Sequence, residues 1–547
     1  MTAIDDVLAR LRSAAPPALP AHGVDAGARA LTAGLTSAGV GFAALGGGLE
    51  QRWHAAIAEL AGSIALTGGD EPILWEGGPY RGCWLESTAT IGAEVLGRFA
   101  PDVTRATHLA LAAAQREDGL LPYKVTPDGA AFTQIQTVTP LARSVWHHYL
   151  QAGRDRDYLA RMYAAMARND AWLAAHRDTR GTGGVEAFCT FDTGHDLSPR
   201  FWHLPDRCHH GDAARYDPDG PGLPFVAPDL TANVACQRRY LALIAAELGE
   251  DPAPWQAKAA ASRAALYTQC WDATAGMYYD RAAHGAFVAV DSDVLLRVLA
   301  CEVADDAVFA ASLDRHLMNT TRFLSAGGFT SIAMDDPRFD GDHTRNSWAG
   351  PVNALTMLRA PHAFEHHGRV AELALAHRTL LGAMAGHDRF AQCVDPWSGD
   401  AGYTSEYSPA MLWLLDTLER DAGILPRPDG EIWLSGLIPT RIGTQAPAAT
   451  AAMRTVDGVR YELAGDDEAV EVHRDGVRWL RFPRGWRIVL RGGEPSVAVG
   501  LAPAPVAGTL HAGDASCALT LAPNERVEVT GIHPGERRSP GFTPPRR

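Results

Sequence analysis

Apolar residues recur every three to four positions through most of the chain before residue 422. This spacing predicts amphipathic helices, and we distinguish about twelve of them. Short connections alternate with long polar loops over 117–136, 177–228, 320–349 and 387–405, which are rich in Gly, Asp, Trp and Arg. Helical hairpins connected in this way predict a toroid whose long loops line one mouth and carry function.

The pattern changes after Pro426. Short segments rich in β-branched residues, such as VRYELAG, VRWLRFP and WRIVLRG, follow one another between Gly, Asp and Pro. They predict antiparallel strands in a small sandwich. We therefore predict a mainly α protein with an N-terminal segment over 1–48, a helical toroid over 49–424, a C-terminal antiparallel β-sandwich over 429–535 and a disordered tail over 536–547.

Composition and charge limit the partners of the protein. The formal net charge of −15 disfavours nucleic acid and anionic membranes, and the 46% of apolar residues allow a large core. The eight cysteines are scattered without a C-x-x-C pair, which is typical of a reduced intracellular protein. We see no apolar signal region or membrane span, so we expect a cytoplasmic protein. Clusters at metal-ligand spacing do not recur, and we predict neither a metal site nor a cofactor.

The segment FDTGHDLSPRFW, residues 191–202, concentrates functional groups. It holds two aspartates, a histidine and an arginine, and it ends on the aromatic pair Phe201 and Trp202. Gly194 and Pro199 disfavour a helix here, and the apolar positions do not alternate as in a strand. We therefore predict a loop, carried by the helical scaffold, that contains reactive side chains.

This segment resembles the E-S-G-x-D-x-S-x-R-W motif of the inverting (α/α)6-barrel glycosidases, which include the trehalases and glycoside hydrolase family 63 with its mannosylglycerate and glucosylglycerate hydrolases. Further segments resemble that family's motifs in the same order: RGCWLESTATIGAEVL, LALAAAQREDGLLPY, APDLTANVACQRRYLALIAAELG, GGFTSIAMDDPRF and RNSWAGPVN. In the last one, Arg345 and Asn353 keep the separation of the family's R-G-P-V-W-P-P-V-N. The resemblance spans roughly residues 75–422 and implies an (α/α)6 toroid with a glycosidase site.

The resemblance implies that Asp196 is the general acid. A glycosidic oxygen is a poor leaving group, so one carboxyl group must stay protonated near neutral pH to give it a proton. Burial and nearby negative charge, for example from Asp192, would raise the pKa of Asp196 in that direction. The structural alternative is that Asp196 caps a helix or pairs with Arg200.

The resemblance also implies sugar contacts. We predict that they are made by Tyr80, Trp84, Glu86, Asp192, Arg200, Trp202, Arg345, Trp348 and Gln392. The arginines offer planar donors for paired hydroxyls or a carboxylate, and the tryptophans offer apolar faces. Structural salt bridges and core packing are the alternatives for these two residue types. Glu86 stands where the family has an aspartate.

One position departs from the family. Gln392, in QCVDPWSGD, stands where the family's E-[NH]-[YF]-x-P-x-T-G segment supplies the glutamate that activates water. An inverting hydrolase needs this second carboxylate about 6.5–9.5 Å from the acid, and an amide cannot accept a proton from water. We predict that Glu406, in GYTSEYSP, is the base; stabilisation of a helix N-terminus is its structural alternative.

The predicted activity is single-displacement hydrolysis of a short α-linked glycoside, such as a disaccharide or a glycosyl alcohol or acid. A small carbohydrate is then the expected partner. Gln392 leaves two alternatives open: a phosphorylase or transferase, in which an acceptor attacks, and a sugar-binding relative without hydrolysis. Toroids of this kind also serve polysaccharide lyases, for which His195 and Tyr403 are candidates as a proton-abstracting pair.

Overall fold

The computed structural model describes residues 2–14, 26–437 and 446–547. Fourteen α-helices lie in these ranges: α1 Ala3–Ser13, α2 Ala26–Ala38, α3 Leu49–Gly62, α4 Ala93–Leu96, α5 Pro101–Ala113, α6 Leu141–Gln151, α7 Arg156–His176, α8 Pro228–Leu248, α9 Ala253–Cys270, α10 Val294–Leu299, α11 Asp306–Ser312, α12 Ala354–His366, α13 Val370–Met384 and α14 Ser408–Ala422. The mainly helical character predicted from the apolar spacing is confirmed. Within the ranges described, no helix has the length and apolar character needed to cross a bilayer.

Six helices contact one another in cyclic order. α4 packs on α6, α6 on α8, α8 on α10, α10 on α12 and α12 on α14, and α14 returns to the π-helical segment Ser87–Gly92 that leads into α4. A second set lies against this ring: α3 packs on α14, α5 on α4, α7 on α6, α9 on α8 and α13 on α12. α8 and α14 are buried along most of their length because neighbours cover them on several sides.

The C-terminal region is antiparallel, as predicted. One sheet has seven strands, in the order Gly41–Leu45, Ala449–Val456, Val459–Gly465, Ala469–Arg474, Val477–Pro483, Val506–Ala512 and Ala515–Leu521. The other has six, in the order Ile424–Pro426, Ile432–Ser435, Trp486–Arg491, Glu494–Gly500, Arg526–Thr530 and His533–Arg538. Both sheets contribute side chains to one apolar core, for example Leu463 and Phe482 from the first and Leu434 and Ile488 from the second.

The described residues near both ends of the chain belong to the folded structure. Strand Gly41–Leu45 of the N-terminal segment pairs with Ala449–Val456, and α1 buries its apolar face beneath the same sheet. We predicted that the tail over 536–547 is disordered, but in the structure its residues contact the helical region. The backbone N–H of Thr320 donates to the carbonyl of Arg546 at 2.7 Å, and the Arg546 guanidinium pairs with Asp314. These paired groups hold the tail on the helical region.

Short strands fold the long loops onto one another. They are Ile64–Ala65, Ile73–Leu74, Cys83–Trp84, Lys124–Thr126, Gly129–Ala131, Glu186–Ala187, Phe225–Val226, Trp271–Asp272, Met277–Tyr278, Asp280–Arg281, Phe287–Val288, Leu324–Ser325, Gly328–Phe329, Val352–Asn353 and Cys393–Val394. Val352–Asn353 pairs with Cys393–Val394, so that the segment before residue 352 lies beside the segment that holds Gln392.

Candidate active site

Asp196 lies in the predicted loop, between the 3-10 turns Thr190–Asp192 and Pro199–Phe201. Its side chain is half-buried, and its carbonyl accepts a hydrogen bond of 2.9 Å from the backbone N–H of Trp348. Burial raises the pKa of Asp196 to about 7, and the negative charge of Glu86 adds to the rise. A carboxyl group with this pKa can hold a proton near neutral pH and give it to a ligand.

A chain of hydrogen bonds joins Asp196 to three polar side chains. Asn346 Nδ2 donates to Asp196 Oδ2, Gln392 Nε2 donates to Asn346 Oδ1 at 3.1 Å, and the Tyr80 hydroxyl donates to Gln392 Oε1 at 3.1 Å. The path from Gln392 Nε2 to Asp196 Oδ2 consists of two hydrogen bonds and the width of the Asn346 amide group. These two atoms are therefore at most about 8 Å apart. The structure therefore brings Asp196, Gln392 and Tyr80 together, with Asn346 between them.

Glu406 lies beside Tyr80. Its backbone is left-handed, with φ of 54°, and its side chain is exposed. It lines a cavity of about 490 Å³ together with Tyr80, Arg81 and Glu59. Burial raises the pKa of Glu59, and the charge of Glu406 adds to that rise, so the Glu406 carboxylate lies near Glu59 of α3. No hydrogen bond or ion pair in the described part of the chain joins Glu406 to Asp196.

Arg200 is buried among groups of this chain. Its five N–H groups are all used: Nε and Nη2 donate to Asp280 at 2.8 Å, Nη1 and Nη2 donate to Asp229 at 3.0 and 3.1 Å, and Nη1 donates to His195 Nδ1 at 2.8 Å. Only 3% of the residue is exposed. The geometry favours the structural salt bridge over a contact with sugar.

Asp192 is a second buried anchor of the same loop. Its oxygens accept two hydrogen bonds from Arg177, at 2.6 and 3.1 Å, and two more from the backbone N–H groups of Ile135 and Phe188. The side chain is fully buried. Asp192 therefore holds the loop in place, and its charge is compensated by Arg177. The negative charges that raise the pKa of Asp196 are those of Glu86 and Asp206 instead.

Glu86 lies beneath the Asp196 loop. Its Oε1 accepts from Arg359 at 2.8 Å and lies 3.9 Å from Arg297. Its Oε2 accepts from Gln136 at 3.4 Å. The loop passes so close that a Cβ on Gly194, which has φ of 64°, would lie 2.3 Å from Oε2. Glycine is the residue that can adopt this conformation without a side chain in the way.

The three predicted tryptophan platforms have different surroundings. Trp348 is buried, packs against His195 with the two rings tilted by 38° and their centroids 5.0 Å apart, and belongs to the core. Trp84 is half-buried, with the Lys124 ammonium 5.1 Å from its ring centroid. Trp202 is 52% exposed, six residues beyond Asp196. Trp202 and Trp84 keep surface available for a ligand, whereas Trp348 does not.

Arg345 lies on the exposed side of the loop that carries Asn346. It pairs with Asp340 and, at 3.1 Å, with Asp342, and its side chain is 51% exposed. Ion pairs in water are weak, so a ligand can compete for this guanidinium.

His195 is buried and neutral. Its Nδ1 accepts from Arg200, and its Nε2 lies 2.8 Å from Asp293. Burial lowers the pKa of His195 to about 3. Tyr403, its predicted partner in a lyase, lies close to Tyr80 instead. Because both ring nitrogens of His195 are occupied, the geometry does not favour proton abstraction by this residue.

Two residues near Asp196 were missed from the sequence. Asn346 directly follows Arg345, and the available signal was that it stands where the motif R-G-P-V-W-P-P-V-N has a glycine. Glu76 is buried; its Oε1 accepts from the Tyr407 hydroxyl at 2.8 Å, and burial raises its pKa to about 8. The sequence feature that could have singled out Glu76 is its place between Trp75 and two glycines, in WEGGPY.

One group of three side chains within the described ranges has metal-ligand geometry. It comprises Cys189, Asp192 and Cys208, all buried, with the two sulfur atoms 3.6 Å apart. Arg177 donates to both Asp192 oxygens and, at 3.4 Å, to Cys208 Sγ. The guanidinium thus supplies the positive charge that a metal ion would bring, and the group needs no cation.

Comparisons with known proteins agree with this fold. The model of the mannosylglycerate hydrolase MGH1-like glycoside hydrolase domain matches residues 91–409. The family 63 mannosylglycerate hydrolase from Thermus thermophilus, in complex with Tris, is similar with a TM-score of 0.56 and 20% identity over 66% of this chain and 99% of that one. The neutral trehalase of Saccharomyces cerevisiae is similar with a TM-score of 0.50 and 14% identity, over 64% and 73% of the two chains.

At these identities the solved structures show a shared fold. No curated protein sequence matches the chain. The family model, however, spans more than half of the 547 residues, from the π-helical segment before α4 to the start of α14. The chain therefore belongs to the mannosylglycerate hydrolase MGH1-like family and is a glycoside hydrolase.

Proposed function

We propose that the protein is an inverting, cytoplasmic hydrolase of short α-linked glycosides, built on an (α/α)6 toroid, with Asp196 as general acid. The observation that carries this proposal is the half-buried carboxyl of Asp196, whose pKa is raised to about 7 in a loop of the helical region. Such a group holds the proton that a glycosidic oxygen needs as it leaves. The cyclic contacts of the six inner helices support the toroid.

Glycosyl glycerates are the first substrates to examine. The similar Thermus protein is named a mannosylglycerate hydrolase, and one of its structures contains D-glycerate. In this chain, the exposed guanidinium of Arg345 offers two parallel donors of the kind that bind a carboxylate. The exposed face of Trp202 offers an apolar surface to a sugar ring.

In the proposed reaction, the Asp196 proton passes to the glycosidic oxygen while water attacks the opposite face of the sugar. Glu406 is the residue we propose as base, because it lines a cavity that also includes Tyr80. Tyr80 begins the hydrogen-bonded chain that ends at Asp196. For this role the Glu406 carboxylate has to come within hydrogen-bond distance of the attacking water.

A second candidate function is glycosyl transfer to an acceptor other than water. It is favoured by Gln392, an amide that cannot accept a proton from water and that lies at most about 8 Å from Asp196. An acceptor anion, such as phosphate, brings its own nucleophile and needs no protein base. The neighbours of Arg345 disfavour the binding of an anionic acceptor there, because the carboxylates of Asp340 and Asp342 already pair with this arginine.

The test is hydrolysis of a panel of α- and β-linked disaccharides and glycosyl glycerates, with and without phosphate. Proton NMR reads the anomer released first. We expect Asp196→Asn to reduce kcat on alkyl glycosides by about 10²–10⁴, and to reduce it less on aryl glycosides, whose leaving groups need little protonation. Asp219→Asn is the matched control, since Asp219 is an exposed aspartate of the same long loop over 177–228.

Three results would contradict the proposal. Equal losses of activity in Asp196→Asn and Asp219→Asn would show that Asp196 is not the acid. Retention of the substrate's anomeric configuration would exclude single displacement. Turnover that depends on phosphate would favour the transferase.

A further inference from the structure

Asn346 is the one side chain among the described residues that hydrogen-bonds to the Asp196 carboxyl. The same loop also holds the Asp196 backbone, because the N–H of Trp348 donates to the Asp196 carbonyl at 2.9 Å. Two attachments, one to the main chain and one to the carboxylate, therefore link this loop to Asp196.

We propose that Asn346 is a positioning residue that fixes the orientation and proton affinity of the Asp196 carboxyl, and that Gln392 and Tyr80 fix Asn346. The inference rests on the proposed role of Asp196 as general acid. It assigns to Gln392 a task that differs from that of the family's base at this position: Gln392 holds the acid in place through a neighbouring amide.

The chain of bonds has a direction. A neutral phenol bonded to an amide oxygen acts as donor, so Tyr80 makes the Gln392 oxygen the acceptor and turns Nε2 towards Asn346. The Asn346 oxygen then accepts, and its NH₂ group is left to face Asp196. Burial raises the pKa of Tyr80, so the phenol stays protonated and the direction persists.

This direction decides which oxygen of Asp196 carries the proton. Oδ2 accepts from Asn346, so the acidic proton belongs on Oδ1, the oxygen that Asn346 leaves free for the leaving group. A hydrogen bond to the carboxylate also favours its charged form and thus lowers the pKa against the effect of burial. Asn346 therefore keeps the pKa near neutrality, where the acid can both lose and regain its proton.

A carboxylate at position 392 is incompatible with this arrangement. It has no N–H to donate, so Asn346 would turn its NH₂ group towards residue 392 and its oxygen towards Asp196. Asp196 would then have to donate its proton to Asn346 instead of to the substrate. Asn346 itself stands where the motif R-G-P-V-W-P-P-V-N has a glycine, which has no side chain for either bond. The amide of Asn346 therefore requires an amide at position 392 in order to donate to Asp196.

Other charges around Asp196 are left unchanged by substitutions at Asn346. The titratable and charged groups that act on or respond to Asp196 are Glu76, Tyr80, Glu86, Asp206, Arg297 and Cys393. A shift seen after Asn346→Leu therefore reports the lost hydrogen bond.

The experiment titrates the Asp196 carboxyl in the free protein, by carbon-13 NMR of aspartate-labelled material, with Asp196→Asn to identify the resonance. A hydrogen bond to a charged group corresponds to about one to two pKa units, so we expect Asn346→Leu to raise the Asp196 pKa by that amount. Tyr80→Phe, a conservative change, removes only the hydroxyl that sets the direction, and we expect a smaller rise. Thr344→Val is the control, because it lies in the same loop and removes only a side-chain hydrogen bond to Asp342.

Profiles of kcat/KM against pH are measured with the same variants. The descending limb should move upward with the NMR pKa, and Gln392→Glu should move it further while lowering kcat. An unchanged Asp196 pKa in both Asn346→Leu and Tyr80→Phe overturns the inference, even if hydrolysis is intact. A shifted pKa without any hydrolysis by the wild type supports the positioning role and contradicts the proposed function instead.

Discussion

Replacement of Arg200 tests whether this arginine is structural or binds sugar. Arg200→Met removes the five hydrogen bonds that hold Asp229, Asp280 and His195, and it leaves two buried carboxylates without this partner. Removing one member of a buried ion pair costs about 3–5 kcal/mol. Arg297 lies 3.5 Å from Asp229 and compensates part of that charge, so we expect a loss within this range rather than beyond it.

The loss should depend on pH. Burial alone would raise the pKa of Asp229, but the charge and hydrogen bonds of Arg200 lower it to about 2. In the wild type, this carboxylate therefore contributes stability above its unfolded pKa of about 3.9 and loses that contribution as the pH falls through 2. Without Arg200, burial raises the pKa of Asp229. The variant therefore loses most stability at pH values at which Asp229 is ionised. The difference in melting temperature should be larger at pH 8 than at pH 4.

The assay is thermal unfolding followed by tryptophan fluorescence, together with steady-state kinetics. Arg345→Met is the matched control, because its exposed ion pairs are worth at most about 1 kcal/mol. We expect a large fall in melting temperature for Arg200→Met and almost none for Arg345→Met. A normal melting temperature with a raised KM in Arg200→Met would refute the reasoning and show that the guanidinium contacts the sugar.

Three further outcomes follow from the site. The kcat/KM of the wild type should fall as the pH rises through about 7, where Asp196 loses its proton, and a profile flat to pH 9 would contradict its role as acid. Gly194→Ala should lower the melting temperature by more than a typical surface change, because the new Cβ would lie 2.3 Å from Glu86 Oε2 at a φ of 64°, and calorimetry can measure this. Glu406→Gln should reduce the rate of hydrolysis at least about 10²-fold if Glu406 activates water. A variant that still hydrolyses the substrate at full rate and with inversion would show that another residue is the base.

Much of the architecture was readable from local pattern. The 3.6-residue apolar spacing before 422 and the alternation after Pro426 predicted helices and then antiparallel strands, because each period reflects which face of an element is buried. The order of the motifs around Asp196 identified the glycoside hydrolase family, which is confirmed. The pairing of Gly41–Leu45 with Ala449–Val456 was invisible, since strand partners four hundred residues apart leave no periodic signal.

Tertiary structure decided the environment of each candidate side chain. Arg200 and Trp202 are two residues apart in sequence, yet one is enclosed by Asp229 and Asp280 and the other is half exposed. Hydrogen bonding and burial depend on neighbours from distant segments, which spacing within one segment does not encode. For the same reason, the sequence alone determined that a carboxyl group stands at 196, whereas its contact with Asn346, from a loop 150 residues away, appears only in the folded chain.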